Sequence, residues 1–195
     1  RGESQSNEAG AIQGGFDATY KMFYAGVWAS SVDFGDDTGY ELDLYGGIKH
    51  KFGGVEADLG VIYYAYPDAS DNNDQDYLEV KFGLSGDLTS NIGLSGTVYY
   101  SDDYYNQQGE AFIYEGGISI KLGTYGRFSP TFTALIGQVD FDTEVGTTYD
   151  FAYWNAGIEV GLMDKITLDL RYWGTDDETN PLRDDRFVAT ISSSW

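Results

Sequence analysis

The chain has no cysteine, three prolines and one histidine among its 195 residues. The missing cysteines exclude a disulfide scaffold and thiol chemistry. Positive charge is scarce: 11 Lys and Arg stand against 32 Asp and Glu, a formal charge of −21. Nucleic acid is excluded as a partner, because its phosphates would be repelled. Anionic lipid head groups would be repelled too, unless divalent cations bridged them. No apolar run reaches the ~18 residues of a transmembrane helix. The longest, Val61-Ile62-Tyr63-Tyr64-Ala65-Tyr66, has the length of a strand. No signal peptide stands at Arg1, where the chain opens in a polar, Gly-containing segment.

What is present is glycine and aromatic residue: 26 Gly, 17 Tyr, 11 Phe and 4 Trp. That composition points to many strands and turns rather than helices. The last ten residues, Arg186 to Trp195, read as one strand ending at the final residue. Phe187, Ala189, Ile191 and Trp195 share one face, and Arg186, Val188, Thr190, Ser192 and Ser194 the other. A terminal aromatic on an alternating strand resembles the C-terminal assembly signal of bacterial outer-membrane barrels.

The same alternation recurs along the chain. Residues 1–10 have no period and read as a loop. Strands are expected over 11–20, 23–32, 40–49, 55–66, 76–85, 92–101, 111–122, 130–139, 149–162, 166–173 and 186–195, eleven in all. Their connections alternate in length. Short turns include Lys21-Met22, His50 to Gly54 and Met163-Asp164-Lys165. Long acidic loops cover 33–39, 67–75, 102–110, 140–148 and 174–185.

In the clear strands all charge lies on one face: Asp17, Glu41, Asp43, Lys49, Glu56, Asp58, Glu79, Lys81, Glu115, Lys121, Glu159, Asp169 and Arg171. Placing one Lys or Arg at the bilayer midplane of a barrel costs about 2–4 kcal/mol, so a face kept free of charge over many strands fits contact with lipid. A soluble sandwich or lipocalin-like barrel would alternate equally well, with its apolar face turned inward. The loop asymmetry and the terminal aromatic favour an all-β antiparallel transmembrane barrel, one domain over 1–195, in the bacterial outer membrane. Single-chain bacterial barrels have an even strand count, which predicts twelve strands, the first lying upstream of Arg1.

Several stretches are similar to one family: Arg1-Gly2 with Ser4-Gln5, AIQGGFD (11–17), FYAGVWASSVDFGD (23–36), ELDLYGG (41–47), GVIYYAYP (60–67) and DYLEV (76–80). They resemble the TorF-like porins, conserved bacterial proteins long carried without an assigned function. The resemblance covers the first 80 residues well; beyond them it is mainly alternation and the terminal aromatic. It implies an outer-membrane pore with a signal peptide and a strand before the Arg-Gly motif, and it implies no substrate.

The charged face would then line the pore, with nine acids against four bases. Rings of carboxylates favour cations. The opposite expectation is that these groups pair and plug the interior, since twelve strands lie between small filled barrels and 16-stranded porins. Tyr45, Tyr64, Tyr66, Tyr77 and Tyr99 would face inward and narrow the passage. Tyr20, Phe23, Tyr40, Tyr100, Phe112, Tyr172 and Trp195 would form the interfacial girdles. Phe187, Ala189, Ile191 and Trp195 would be read by the barrel-assembly machinery.

Barrel enzymes use a histidine on the outer side, whereas His50 is expected in a periplasmic turn. A Ser-His-Asp arrangement is thereby disfavoured, and the i, i+2 acids are read as lining rather than glycosidase pairs. Asp71, Asn73, Asp74 and Asp76 loosely resemble a calcium loop but lack its spacing and glycine. No cofactor or metal is expected. The expected partners are outer-membrane lipid, lipopolysaccharide, the assembly machinery and small solutes. The expected function is a channel for passive diffusion; the alternative is a closed structural or adhesive barrel whose acidic loops bind a partner.

Overall fold

Alternation of side chains carries straight into the architecture. The computed structural model describes residues 1–70, 75–142, 150–162, 165–177 and 179–195. Its eleven strands are β1 (Gln13–Tyr20), β2 (Phe23–Ser31), β3 (Tyr40–Phe52), β4 (Val55–Ala65), β5 (Tyr77–Asp87), β6 (Ile92–Ser101), β7 (Ala111–Lys121), β8 (Phe128–Phe141), β9 (Phe151–Leu162), β10 (Ile166–Thr175) and β11 (Arg186–Ser193). They form one antiparallel sheet in sequence order, each strand bonded to the next. Among the described residues the only helical segment is the 3-10 turn Pro181–Arg183.

The expected boundaries shift by a few residues at several strand ends, and three of these shifts have a clear cause in pairing. His50 lies inside β3, which runs on to Phe52, so the connection to β4 is the two-residue turn Gly53-Gly54. The backbone there keeps pairing, with His50 opposite Ala57 and Phe52 opposite Val55. β8 starts at Phe128, taking in Phe128 and Ser129 ahead of the expected start at Pro130 through pairing with β9. β11 ends at Ser193, where its partner β10 begins at Ile166, so Trp195 lies beyond the ladder.

The sheet rolls so that its charged face turns inward. Glu41, Glu79 and Asn155 are buried, whereas Leu44, Leu59, Val61 and Phe82 on the opposite face are each 48–49 % exposed. A soluble sandwich would bury those aliphatics, so the alternation resolves in favour of an outward apolar belt. At the turn end the belt carries exposed Tyr20, Phe23, Phe52, Tyr125, Phe128 and Trp195. At the loop end it carries Tyr40 and Tyr63 together with the ring contacts Tyr100–Phe112 and Tyr172–Phe187. Two aromatic rims thus bracket an aliphatic band.

Close register places tyrosine rings over glycines of the neighbouring strand. Tyr45 lies opposite Gly26, and Tyr153 opposite Gly137; a Cβ at either glycine would collide with the ring. Among the described residues no pairing joins β1 to β11. β1 is exposed along its whole length, as is β11 after Arg186.

Candidate functional site

The inward face contains three clusters of ionisable side chains. The first is on β3–β5. Asp58 accepts from Tyr24 Oη at 2.8 Å and pairs with Lys81 at 2.8 Å and Lys49 at 3.9 Å. Asp17 accepts from Tyr45 Oη at 2.5 Å. Glu56 faces Lys51 at 4.0 Å near the turn end, and Lys121 lies exposed at the end of β7.

The second cluster centres on Arg171 of β10. Its guanidinium reaches Asn155 Oδ1 at 2.6 Å, Thr133 Oγ1 at 2.8 Å, Glu159 at 2.8 Å and Asp169 at 2.7 Å. Beside it opens a cavity of about 720 Å³ at the turn end, lined by small and polar residues including Ser95, Gly117, Ser119, Thr133, Asn155 and Arg171.

The third cluster lies toward the loop end. Glu79 is fully buried and accepts from Tyr64 Oη at 3.0 Å. Glu115 accepts from Tyr153 at 2.6 Å and Tyr99 at 3.4 Å. Glu41 accepts from Tyr66 Oη and, at 3.2 Å, from Gln5. Asp43 Oδ1 is buried and has no hydrogen-bond partner among the described residues. Ala111, Ile113, Val139, Phe151 and Tyr153 pack beside these acids, with Tyr99, Tyr104, Leu135, Phe141 and Trp173 against them.

The loop end is crossed by residues that the alternation does not identify. Residues 1–10, expected as a plain loop, fasten across the loop end through their first five residues, with Gly2 buried and Arg1 half-buried. Arg1 meets Glu79 through a two-pronged pair at 2.5 and 2.6 Å, and its guanidinium stands 4.9 Å from the Tyr99 ring centroid. Gly2 is buried at φ +79°, and a Cβ there would lie 2.5 Å from Thr175 Cγ2 and 3.0 Å from Tyr153 Cβ. Only glycine takes this backbone without strain and without that collision. Glu3 pairs with Arg183 at 2.9 Å, Ser4 N donates to Leu182 O, and Asp33 N donates to Gln5 O. The segment therefore bridges β5, β9–β10, the loop before β11 and the loop after β2.

Tyr104 and Tyr105, from the loop after β6, fold in with it. Tyr105 packs edge-on against Phe34 and Tyr66, and Tyr104 against Tyr77 and Phe141. Burial pushes both phenols above their ordinary value, so they stay neutral. The residues that sequence reasoning missed are Arg1, Gly2, Tyr104, Tyr105, Tyr24 and Tyr153. Tyr24 and Tyr153 could be found from register with charged neighbours; the loop residues carry no periodic signal. Tyr45, Tyr64, Tyr66, Tyr77 and Tyr99 all take part in interior contacts.

His50 is exposed and stands edge-on to Phe52 at 4.5 Å. It borders a shallow apolar groove with Met22, Ile48, Leu59 and Phe82. Asp71, Asn73 and Asp74 lie outside the described residues, and Asp76 is engaged by Tyr63 Oη and Tyr66 N. Among the described residues no group of three or more acid or histidine side chains is arranged to hold a metal.

A rolled antiparallel sheet with an apolar outer belt and a charged interior is the architecture of a porin-type β-barrel. One solved structure with this fold, described as "NanC porin structure in rhombohedral crystal form", matches with a TM-score of 0.65 at 10% identity, over 95% of this chain and 99% of that one. A second, described as a porin refined at 1.8 Å, gives a TM-score of 0.44 at 14% identity, over 92% of this chain and 60% of that one. The comparison with curated proteins returned no match. The chain belongs to the family described as "Bacterial protein of unknown function (Gcw_chp)", whose model matches residues 1–195.

Proposed function

We propose that this chain is an outer-membrane porin-like channel for passive diffusion of small solutes, with an interior that favours cations. The observation that carries the reading is the outward aliphatic band with an aromatic rim at each end, wrapped around a charged interior. The porin fold and the sequence resemblance to TorF-like porins point the same way. Asp17, Glu41, Asp43, Glu56, Asp58, Glu79, Glu115, Glu159 and Asp169 would line the passage with Lys49, Lys81, Lys121 and Arg171. Acids outnumber bases nine to four, and Arg1 adds one base at the narrow end. A passage of that balance concentrates cations. The protein acts as a channel, not an enzyme.

Closure belongs to the same reading. Among the described residues the outer edges of β1 and β11 each present unpaired backbone groups, which a bilayer does not tolerate. A twelfth strand between them satisfies both. Phe187 and Ile191, 76–78 % exposed, stand on the outside of β11 with Trp195 beyond it, and would be what the assembly machinery reads.

The packed loop end favours a second reading, a closed barrel whose acidic loops hold a partner or divalent-bridged lipopolysaccharide. Single-channel recording of the refolded protein across a salt gradient separates the two. Steady cation-selective steps support the channel. Silence from folded, inserted protein supports the closed barrel, and anion preference overturns the acidic-passage claim. Val61→Arg in the outer belt should cost about 2–4 kcal/mol of folding stability in lipid; no cost would remove the membrane reading itself.

A further inference from the structure

Glu79 belongs to the wall, and so do the groups around it. Tyr64 of β4 donates to one carboxylate oxygen and stacks on Tyr77 at 4.4 Å; Tyr99 of β6 offers its ring face; Tyr104 leans over from the next loop. These groups form an acid floored and walled by tyrosines. A buried carboxylate with one phenol donor is unfavourable unless a cation completes it. The occupant in this structure is the Arg1 guanidinium, held by both carboxylate oxygens, by Tyr104 Oη as acceptor at 3.1 Å and by the two ring faces. A planar fork matches that carboxylate; a compact ammonium fills one position only.

The tether holding Arg1 there is fastened elsewhere, through Glu3 to Arg183, Ser4 to Leu182 and Gln5 to Asp33 and Glu41. Cage and occupant are therefore separable parts.

We propose that the Glu79 cage, with Tyr64, Tyr99 and Tyr104, is a guanidinium-recognition site in the passage, occupied internally by Arg1 and open to small guanidinium-bearing solutes that compete with it. The proposal rests on the channel reading for its place in transport, and on the cage alone for binding.

The test uses the full chain, refolded in detergent and in planar bilayers, with methylguanidinium as probe and methylammonium as its control. Arg1→Ala should lower the thermal unfolding midpoint, and methylguanidinium at millimolar concentration should restore it where methylammonium does not. In Arg1→Ala/Glu79→Gln the restoration should weaken roughly tenfold or more, since the charged two-pronged pair is gone. In bilayers, Arg1→Ala should conduct better than wild type and methylguanidinium should block that gain. Equal restoration by both probes, or restoration that survives Glu79→Gln, overturns the site. If Arg1→Ala does not fold, Arg1→Gln keeps the side-chain length and serves in its place. Absence of current from every variant, with guanidinium-specific restoration intact, would defeat the channel reading while upholding the site. Current without that restoration would do the reverse.

Discussion

The two ends of the interior are built differently. Toward the loops the inward positions are large: Tyr66, Tyr77, Tyr99, Ile113, Val139 and Tyr153, with Ile113, Val139 and Tyr153 wholly buried. Toward the turns the same strands turn small residues inward: Ser85, Gly93, Ser95, Gly117 and Ser119, around a cavity of about 720 Å³. β6 alone shows the gradient, from Gly93 and Ser95 through Thr97 to Tyr99. One sheet thus holds a packed end and an open end, the difference set by side-chain volume. Stability should therefore concentrate at the loop end, and free passage at the turn end.

That contrast can be broken most sharply at Ile113. Ile113→Ala removes a fully buried side chain and should cost about 2–5 kcal/mol, read by urea unfolding in lipid vesicles; Ser119→Ala at the turn end should cost little. An equal cost at both sites would erase the distinction.

Next in size is Gly2→Val. A branched side chain at φ +79° that also meets Thr175 and Tyr153 should cost about 1–3 kcal/mol or release the segment. Single-channel conductance should then rise, because the bridge across the loop end is detached. Unchanged conductance would mean that the segment does not limit the path.

Filling the open end is the converse experiment. Ser119→Trp places a ring in existing space, so stability should stay within about 0.5 kcal/mol of wild type while conductance falls. A large loss of stability instead would show that end to be packed after all.

The smallest effect concerns the latch of the segment. Asp177 accepts from Thr179 and pairs with Arg183 at 2.7 Å, the residue that holds Glu3. The Thr179 hydrogen bonds, with Arg183 beside them, hold its carboxyl below the ordinary 3.8. A group lowered in the folded state stabilises fully above its unfolded value and loses that contribution as pH falls through the folded one. The advantage of wild type over Asp177→Asn in unfolding midpoint should be full at about pH 6 and shrink progressively as the pH falls below the ordinary 3.8. An advantage that grows in acid would reverse the assignment.

Much of this contrast is visible in the chain as letters. The eleven strands, the alternation of short and long connections and the uncharged face follow from a period of two, because each strand is stiff and its side chains point to opposite sides. The small-to-large gradient along β6 can be read once the turn end is known. The ends of strands were less legible: His50 extends β3 because its backbone still finds a partner in Ala57, a fact held by another strand. β11 stops at Ser193 for the same reason, its partner having run out.

What the sequence by itself determined is the strands: where they fall, which side chains share a face, and that one face is kept free of lysine and arginine. Periodicity is local, and local geometry suffices for it. What only the tertiary structure decided is which face turns inward and what fills the narrow end. Alternation is symmetric between the two faces, so inside and outside are distinguished only when the sheet rolls. Arg1 and Glu79 are 78 positions apart, in segments with no shared period. Their meeting depends on five strands' worth of curvature and on two loops that hold the segment across the opening, and no local pattern encodes that distance.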